Sequence, residues 1–301
     1  MQLTRRSLWG YVPRAVATPP TGSPRLALSF DLDYQADTDA LPALLALLDR
    51  VEARSTLFCI GALVEQDPAP YRAAAEAGHE LANHTQTHPD NPVLNPDHEF
   101  WHLSAEEMRA EIGQAQDTLE RHTGQRPVGF RSPHFKDAFP LLEALRSYPE
   151  IDYFSSALAS KCPCPTPFFP ALAPFPGDRG LHYPGAAGAG YDKLMVPLTP
   201  SPEFRWSPFS SYTSIRRPSN PMKGAGLQTV PQWERSWAKL LERSGPAKFC
   251  SVYFDPLDVM RDAETEATFE RMLTHAREAG WALLPLRAVA EAWRPLLEAA
   301  A

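Results

Sequence analysis

The chain has 301 residues, and 44% of them are hydrophobic, which suits a large α/β domain and excludes global disorder. A net charge of −7 makes nucleic acid and anionic membranes poor partners. No apolar run reaches the roughly 18 residues that a transmembrane helix needs. The arginine pair Arg5 and Arg6 is not followed by the apolar segment of a signal peptide, so we expect a cytoplasmic protein.

Apolar patterns predict strands that alternate with helices. The predicted strands are 25–30, 54–60, 79–82, 128–130, 153–156, 194–198, 249–254 and 281–284. The predicted helices are 38–53, 62–77 with a break near Pro68 and Pro70, 104–122, 138–147, 232–243, 263–279 and 286–297. This alternation favours a mostly parallel sheet, and seven or eight such units favour a barrel.

The domain organisation follows from the same pattern and from the prolines. Residues 1–24 are interpreted as an N-terminal arm, and 25–297 as a single barrel domain. Many of the 32 prolines fall in an insert at about 160–231, which we expect to form ordered loops along one wall of a groove. Four cysteines fit a reducing location. Cys59 and Cys250 lie in apolar runs and are predicted to be buried thiols, and the Cys162–Cys164 pair is interpreted as structural.

Two histidines four residues apart, His84 and His88, can direct their imidazoles into one space. Asp33, at the end of the first predicted strand, is the best third ligand, because two histidines and one carboxylate leave metal positions open. Asp31 points to the same side and could act as a general base. The histidines alone could be surface residues and the aspartates turn residues. The Asp-x-Asp pattern after an apolar strand favours a metal site.

The placement of the candidate residues supports a shared site. In parallel barrels the chemistry lies at the C-terminal ends of the strands. Six candidates directly follow predicted strands, namely Asp31, Asp33, His84, His88, Arg131 and Asp255.

Three segments in a fixed order resemble the polysaccharide deacetylase family, the group with the NodB homology domain. Ser29–Asp33 resembles its first motif, His84–His88 fits the second, and Gly129–Pro133 fits the third. The resemblance covers 24–160 closely and 245–295 loosely. It implies a distorted (β/α) barrel with about seven parallel strands and metal-dependent removal of an acyl group from an amide nitrogen.

The resemblance also implies roles for individual residues. Asp33, His84 and His88 would bind a divalent metal, usually zinc, and Asp31 would be the general base that Arg131 orients. The Thr85 hydroxyl is expected to hydrogen-bond within the histidine loop. The predicted substrate contacts are Pro133, His134 and Tyr253. The substrate would be a carbohydrate or another small molecule, and a homo-oligomer is compatible with the sequence.

One position departs from the family pattern. Family members protonate the leaving amine with a histidine that follows a late strand, whereas this chain has Asp255 there. Asp255 could share a proton with Asp31 and still act as the acid, because neighbouring carboxylates raise one pKa. His134 could replace the missing histidine instead.

The same departure leaves other functions open. The chain could hydrolyse a non-sugar C–N bond in a small cyclic amide. It could also be a binding or regulatory module with little turnover. Trp101, Trp206 and Phe209 are candidates for stacking on a flat substrate.

Overall fold

The computed structural model describes residues 22–135, 139–156, 175–176, 193–203, 208–216 and 228–299. Residues 1–21 of the predicted arm, most of the Pro-rich insert, Cys162, Cys164 and Trp206 lie outside these ranges, so the predictions made for them stay predictions. Within the described part, no helix is both long enough and apolar enough to cross a membrane. Cys59 and Cys250 are buried free thiols, as the sequence predicts.

The described residues form one nine-stranded sheet. Its strands are β1 Arg25–Leu32, β2 Thr56–Cys59, β3 Glu80–Asn83, β4 Gly129–Phe130, β5 Tyr153–Phe154, β6 Phe175–Pro176, β7 Leu194–Met195, β8 Phe249–Phe254 and β9 Ala282–Leu284. The order across the sheet is β6-β7-β5-β4-β3-β2-β1-β8, and β9 also pairs with β1. Only the β6–β7 pairing is antiparallel among these strands.

Helices follow most of the strands. They are α1 Gln35–Arg50, α2 Gly61–Gln66, α3 Pro68–Glu76, α4 Ala105–Thr123, α5 Phe139–Leu145, α6 Ser211–Ser214, α7 Val230–Ser244, α8 Pro256–Val259, α9 Ala263–Glu278 and α10 Leu286–Ala299. Ser104 begins α4 with the predicted capping box, and Gly124 ends it at a φ of 73°. The break predicted within 62–77 is present: α2 ends at Gln66, and Pro68, which cannot continue an α-helix, begins α3.

The segment after β7 brings the two ends of the sheet together. The backbone N–H of Thr199 donates to the carbonyl of Ser251 on β8 at 2.8 Å, and the N–H of Ser251 donates to the Thr199 hydroxyl at 2.8 Å. β7 pairs with β5 at the far end of the sheet order, so these bonds curl the sheet toward closure. The architecture is the predicted distorted parallel (β/α) barrel, with short strands on the side that includes β4, β5 and β7.

β1 lies at the centre of the core. It is buried along nearly its whole length, as a strand bonded to β2 on one side and β8 on the other should be. The largest apolar cluster packs α1, α7 and α9 against β1 and β8, and its aromatic members include Trp233, Trp237, Phe254 and Phe269. A separate cluster packs around Trp293 of α10 and includes Ala27 and Phe58.

Candidate active site

Three side chains from two loops converge at the C-terminal edge of the sheet. The Asp33 Oδ1 atom lies 3.3 Å from His84 Nε2 and 3.7 Å from His88 Nε2. One ligand atom from each residue lies within 4.8 Å of the other two. The structure therefore brings together the three residues that were selected as metal ligands.

The donor set fits a divalent cation. Asp33 Oδ1 is buried and receives no hydrogen bond from the described protein, so a cation would satisfy it. Burial lowers the pKa of His88 to about 3, which keeps that imidazole neutral and able to bind a metal. Burial would raise the pKa of Asp33, but the imidazoles of His88 and His84 outweigh it and lower this pKa. Asp33 therefore carries a negative charge that a cation would neutralise.

The pKa of His84 moves in the other direction from that of His88. Burial tends to lower it, but the carboxylates of Asp33 and Asp31 beside the ring raise it overall. A proton on His84 would compete with a cation at this position, so binding of the cation would release that proton.

Neighbouring groups orient the ligands. His84 Nδ1 donates to the carbonyl of Arg131 at 2.8 Å, which directs the lone pair of Nε2 toward Asp33. Asn91 Nδ2 donates to the carbonyl of Asp33 at 2.7 Å. The Thr85 hydroxyl accepts the N–H of His88 at 3.0 Å, which confirms the bond expected within this loop.

Helix α4 holds the histidine loop from behind. Asn83 Nδ2 donates to the carbonyl of Ile112 at 2.9 Å and to Gln116 Oε1 at 3.0 Å, while Asn83 Oδ1 accepts the N–H of Thr85 at 2.8 Å. Glu111 accepts both the N–H and the hydroxyl of Thr87. The loop needs this support, because the φ angles of Thr85 (69°) and His88 (49°) are left-handed.

Asp31 and Arg131 form a fully buried ion pair beside Asp33, His84 and His88. One guanidinium nitrogen of Arg131 contacts Asp31 Oδ1. The other nitrogens donate to the hydroxyls of Ser29 (3.0 Å) and Ser155 (3.1 Å) and to the Ser155 carbonyl. Burial raises the pKa of Asp31, and Arg131 and His84 offset part of this rise. Arg131 is thus placed to orient Asp31, as the motifs predict, although the catalytic roles stay proposals.

Asp255 lies in the register position opposite Asp31, because Phe254 pairs with Phe30. Its carboxylate forms an ion pair with Arg216, and its backbone N–H donates to the Ser211 hydroxyl at 2.9 Å. Arg216 also contacts both carboxylate oxygens of Asp258, at 3.1 and 3.2 Å. The predicted role of Asp255 as an acid stays a prediction, and the ion pair favours its charged form.

The predicted substrate contacts lie at different depths. His134 is 43% exposed, 5.1 Å between ring centroids from His88, and 3.2 Å from the carboxylate of Asp90. Pro133 is buried, and Tyr253 is nearly so, with its ring 4.8 Å from that of Phe135. Their substrate roles stay predictions.

The two described aromatic candidates for substrate stacking, Trp101 and Phe209, also differ in burial. Trp101 is half-buried and packs edge-on against His134 with a centroid distance of 5.8 Å. The suggestion for Phe209 was wrong, because this side chain is fully buried against Trp233 and Trp237 in the core.

Two charged residues of this region were not predicted from the sequence. Asp37 accepts the N–H groups of Asp33 and Tyr34 and, with its other oxygen, the N–H of Leu257. It thereby fixes the end of β1 to the segment after β8. Arg216 comes from the Pro-rich segment. Asp37 has a local signal, an acidic residue in the first helical turn, whereas nothing in its sequence surroundings marks Arg216.

Comparison with known proteins supports the interpretation of the motifs. The family model described as "Polysaccharide deacetylase" matches residues 18–148, a segment that contains Asp31, Asp33, His84, His88 and Arg131. A curated relative, the peptidoglycan-N-acetylglucosamine deacetylase of Bacillus cereus, is 29% identical over 115 residues, which cover 38% of each chain. The chain spans less than half the length of the curated relatives that it matches.

Solved structures extend the likeness of the fold to nearly the whole chain. A protein assigned to the polysaccharide deacetylases from Mycobacterium smegmatis has a TM-score of 0.72 at 18% identity, over 93% of this chain and 94% of that one. An allantoinase has a TM-score of 0.70 at 14% identity, over 95% and 96% of the two chains. At these identities the likeness shows the fold alone. Together with the family match over residues 18–148, it confirms the resemblance of this chain to the polysaccharide deacetylases.

Proposed function

We propose that the protein is a metal-dependent hydrolase that removes an acetyl group from the amide nitrogen of an N-acetylated amino sugar. The observation that carries the proposal is the convergence of Asp33, His84 and His88 beside the Asp31–Arg131 pair. The named activity of the curated Bacillus cereus relative supports the choice of an N-acetylglucosamine substrate.

Asp33, His84 and His88 would hold the ion, and we propose Zn²⁺ because two imidazoles and one carboxylate are a common zinc donor set. A divalent ion at this position supplies an activated water and polarises the amide carbonyl. The hydrogen bond from His84 Nδ1 to the Arg131 carbonyl fixes the tautomer that binding requires.

Asp31 is the proposed general base. Arg131 holds Asp31 Oδ1, which leaves Oδ2 to take a proton from the attacking water. The burial that raises the pKa of Asp31 makes this carboxylate a better proton acceptor. Arg131 is packed 3.8 Å above the ring of Phe58 and is fully buried, so it has little freedom to move.

The leaving nitrogen must gain a proton as the C–N bond breaks. Asp255 is the predicted donor, but its ion pair with Arg216 favours the carboxylate. We propose that Asp31 returns the proton that it took from water. Water then supplies its hydroxyl to the acetyl group and its proton to the amine, so the reaction balances.

Two measurements test the proposal. Elemental analysis of the purified protein should find one divalent ion per chain, and the His84→Ala variant should lack it. Acetate release from tetra-N-acetylchitotetraose should require that ion and should be lost with it. Metal binding without acetate release from this oligomer or from N-acetylglucosamine would contradict the proposal. A screen of small cyclic amides would then distinguish the two alternatives. Hydrolysis would indicate an enzyme that acts on a non-sugar C–N bond, and no hydrolysis would indicate a binding or regulatory module.

A further inference from the structure

The carboxylate of Asp255 has two oxygens in different situations. Oδ2 is held by Arg216, whereas Oδ1 is buried and receives no hydrogen bond from the described protein. The side chain as a whole is 1% exposed. A buried carboxylate oxygen without a donor is costly, so a donor brought by a ligand would relieve the cost.

The direction of this side chain follows from the strand geometry. Tyr253, two residues earlier on β8, points into the barrel, because its ring contacts Phe135 and lies 5.6 Å from the Arg131 guanidinium. Asp255 has an extended backbone, with φ −102° and ψ 129°, so the alternation of side chains continues and Asp255 points to the same side.

The opposite position on β1 is Asp31. Ser29 pairs with Tyr253 and Phe30 with Phe254, so the next pair in this register is Asp31 with Asp255. Neighbouring strands lie about 4.8 Å apart. The two carboxylates therefore lie on the same side of neighbouring strands.

Arg216 fixes both the charge and the rotation of Asp255. It is itself held by Asp258 and packed 4.5 Å from the ring of Tyr212. A guanidinium can only donate, so it holds an oxygen of residue 255 on its own side. The other position of the side chain, toward the barrel, is then an acceptor with no proton of its own.

We infer that Asp255 Oδ1 accepts a hydrogen bond from the N–H of the amide that is cleaved, so that the Arg216–Asp255 pair selects secondary amides. This inference rests on the proposed function. Asp255 is then a substrate-binding residue and not the acid. The same carboxylate stabilises the nitrogen as it gains a proton and positive charge.

The Asp255→Asn variant tests the inference sharply. Arg216 would hold the amide oxygen of the new side chain, and the NH₂ group would take the place of Oδ1. The atom of residue 255 that faces the barrel would then be a hydrogen-bond donor instead of an acceptor. A donor cannot pair with the N–H of an amide substrate, but it can pair with the oxygen of an ester substrate. We expect kcat/KM for tetra-N-acetylchitotetraose to fall at least tenfold further than kcat/KM for 4-nitrophenyl acetate.

Asp258→Asn is the matched control, because it also removes a carboxylate from Arg216 but leaves Oδ1 of Asp255 in place. We expect it to keep the wild-type ratio of the two kcat/KM values. Metal content and urea unfolding of each variant show whether the fold and the metal site are intact.

The outcomes separate the two proposals. If the wild type releases no acetate from the oligomer, the proposed function fails and the inference fails with it. If the wild type is active, an Asp255→Asn variant that lowers both kcat/KM values equally overturns the inference but not the proposed function. A variant that lowers neither value does the same. A further measurement uses the wild type only. Efficient deacetylation of an N-methylated N-acetylglucosamine, which has no amide N–H, would also overturn the inference.

Discussion

Single hydrogen bonds decide which chemistry each titratable group of this protein can perform. His84 and His88 are alike in sequence, yet His84 donates through Nδ1 to a carbonyl, whereas the buried Nδ1 of His88 has no hydrogen-bond partner among the described residues. Asp31 and Asp255 both face an arginine, but Arg131 also binds two serine hydroxyls, whereas Arg216 is shared with Asp258. These differences come from partners that are distant in sequence.

His79 is a buried titratable group outside the site, and it makes stability depend on pH. It is 2% exposed, and its Nδ1 accepts the N–H of Ser55. Burial, followed by the nearby charge of Arg54, lowers its pKa to about 4, while Asp49 opposes them. In the unfolded chain the pKa is about 6.5. The unfolded state therefore binds a proton first as the pH falls, and the free energy of unfolding should drop by roughly 2 kcal/mol between pH 7 and 5.

Urea unfolding across this pH range checks the prediction for His79. The control is His79→Asn, whose side-chain oxygen can accept the same N–H from Ser55 but does not titrate. The variant should lose less stability than the wild type on acidification, with the difference confined to pH values below about 6.5. Parallel pH profiles for the two proteins would contradict the assignment.

At the level of residues, the sequence predicts those parts of the site that lie in continuous motifs. Asp31, Asp33, His84 and His88 could be selected because they lie in two short motifs at the C-terminal ends of buried strands. Arg216 could not be selected, because its position depends on how a Pro-rich segment packs against α8. The orphaned oxygen of Asp255 could not be predicted either, since it reflects the direction of a guanidinium that approaches from another segment.

At the level of elements, α4 acts as the support for the metal-binding loop. Its buried side carries Ile112 and Gln116, which fix Asn83, and Glu111 receives both donors of Thr87. The loop itself contains left-handed residues that would not hold their conformation alone. The position of the imidazoles is therefore a property of the packed helix as much as of the loop.

Removal of Glu111 should loosen the metal site without altering any ligand. In Glu111→Ala, the N–H and hydroxyl of Thr87 lose their acceptor, so we expect about tenfold weaker metal binding and a loss of about 1–2 kcal/mol in stability. Competition with a chelator measures the affinity, and urea unfolding measures the stability.

The control is Glu107→Ala on the same helix. Glu107 is exposed and accepts the N–H of Ser104 at the helix start, so its loss should lower stability by about 1 kcal/mol and leave the metal affinity unchanged. An equal loss of affinity in both variants would mean that helix stability, and not the contact with Thr87, sets the affinity.

The elements were predicted where their signals are local. The capping box at Ser104 and the apolar run of β8 gave correct positions. The short helices α6 and α8 were missed, because four residues carry too little periodicity to be recognised. Strands β4, β5 and β7 are only two residues long, since their length depends on neighbouring strands and not on their own composition.

At the level of the whole molecule, one buried carboxylate joins four elements at the end of the barrel away from the site. Glu80 of β3 accepts the Thr56 hydroxyl of β2 at 2.5 Å, the Tyr153 hydroxyl of β5 at 2.9 Å and the N–H of Arg287 in α10 at 3.0 Å. The last of these bonds places a carboxylate at the N-terminus of α10, where the helix dipole favours negative charge.

Substitution of Glu80 should destabilise the entire fold. In Glu80→Ala three buried donors lose their acceptor, and we expect a loss of about 3 kcal/mol or more. Glu80→Gln should lose less, because the amide oxygen can still accept from Arg287 and the Tyr153 hydroxyl can turn to accept from the amide nitrogen. Urea unfolding measures both variants. Equal losses would show that hydrogen bonding at this position contributes little.

The pairing of β1 with β8 also has a consequence for biosynthesis. Ser29 and Val252 are hydrogen-bonded across 223 residues of sequence, so one edge of the central strand has no partner until the ribosome has translated β8. Until then a nascent chain presents an open apolar edge, the feature that promotes intermolecular strand pairing. Any product of premature termination before residue 249 carries that edge permanently. It would depend on chaperones or be degraded, even though it contains every predicted metal ligand.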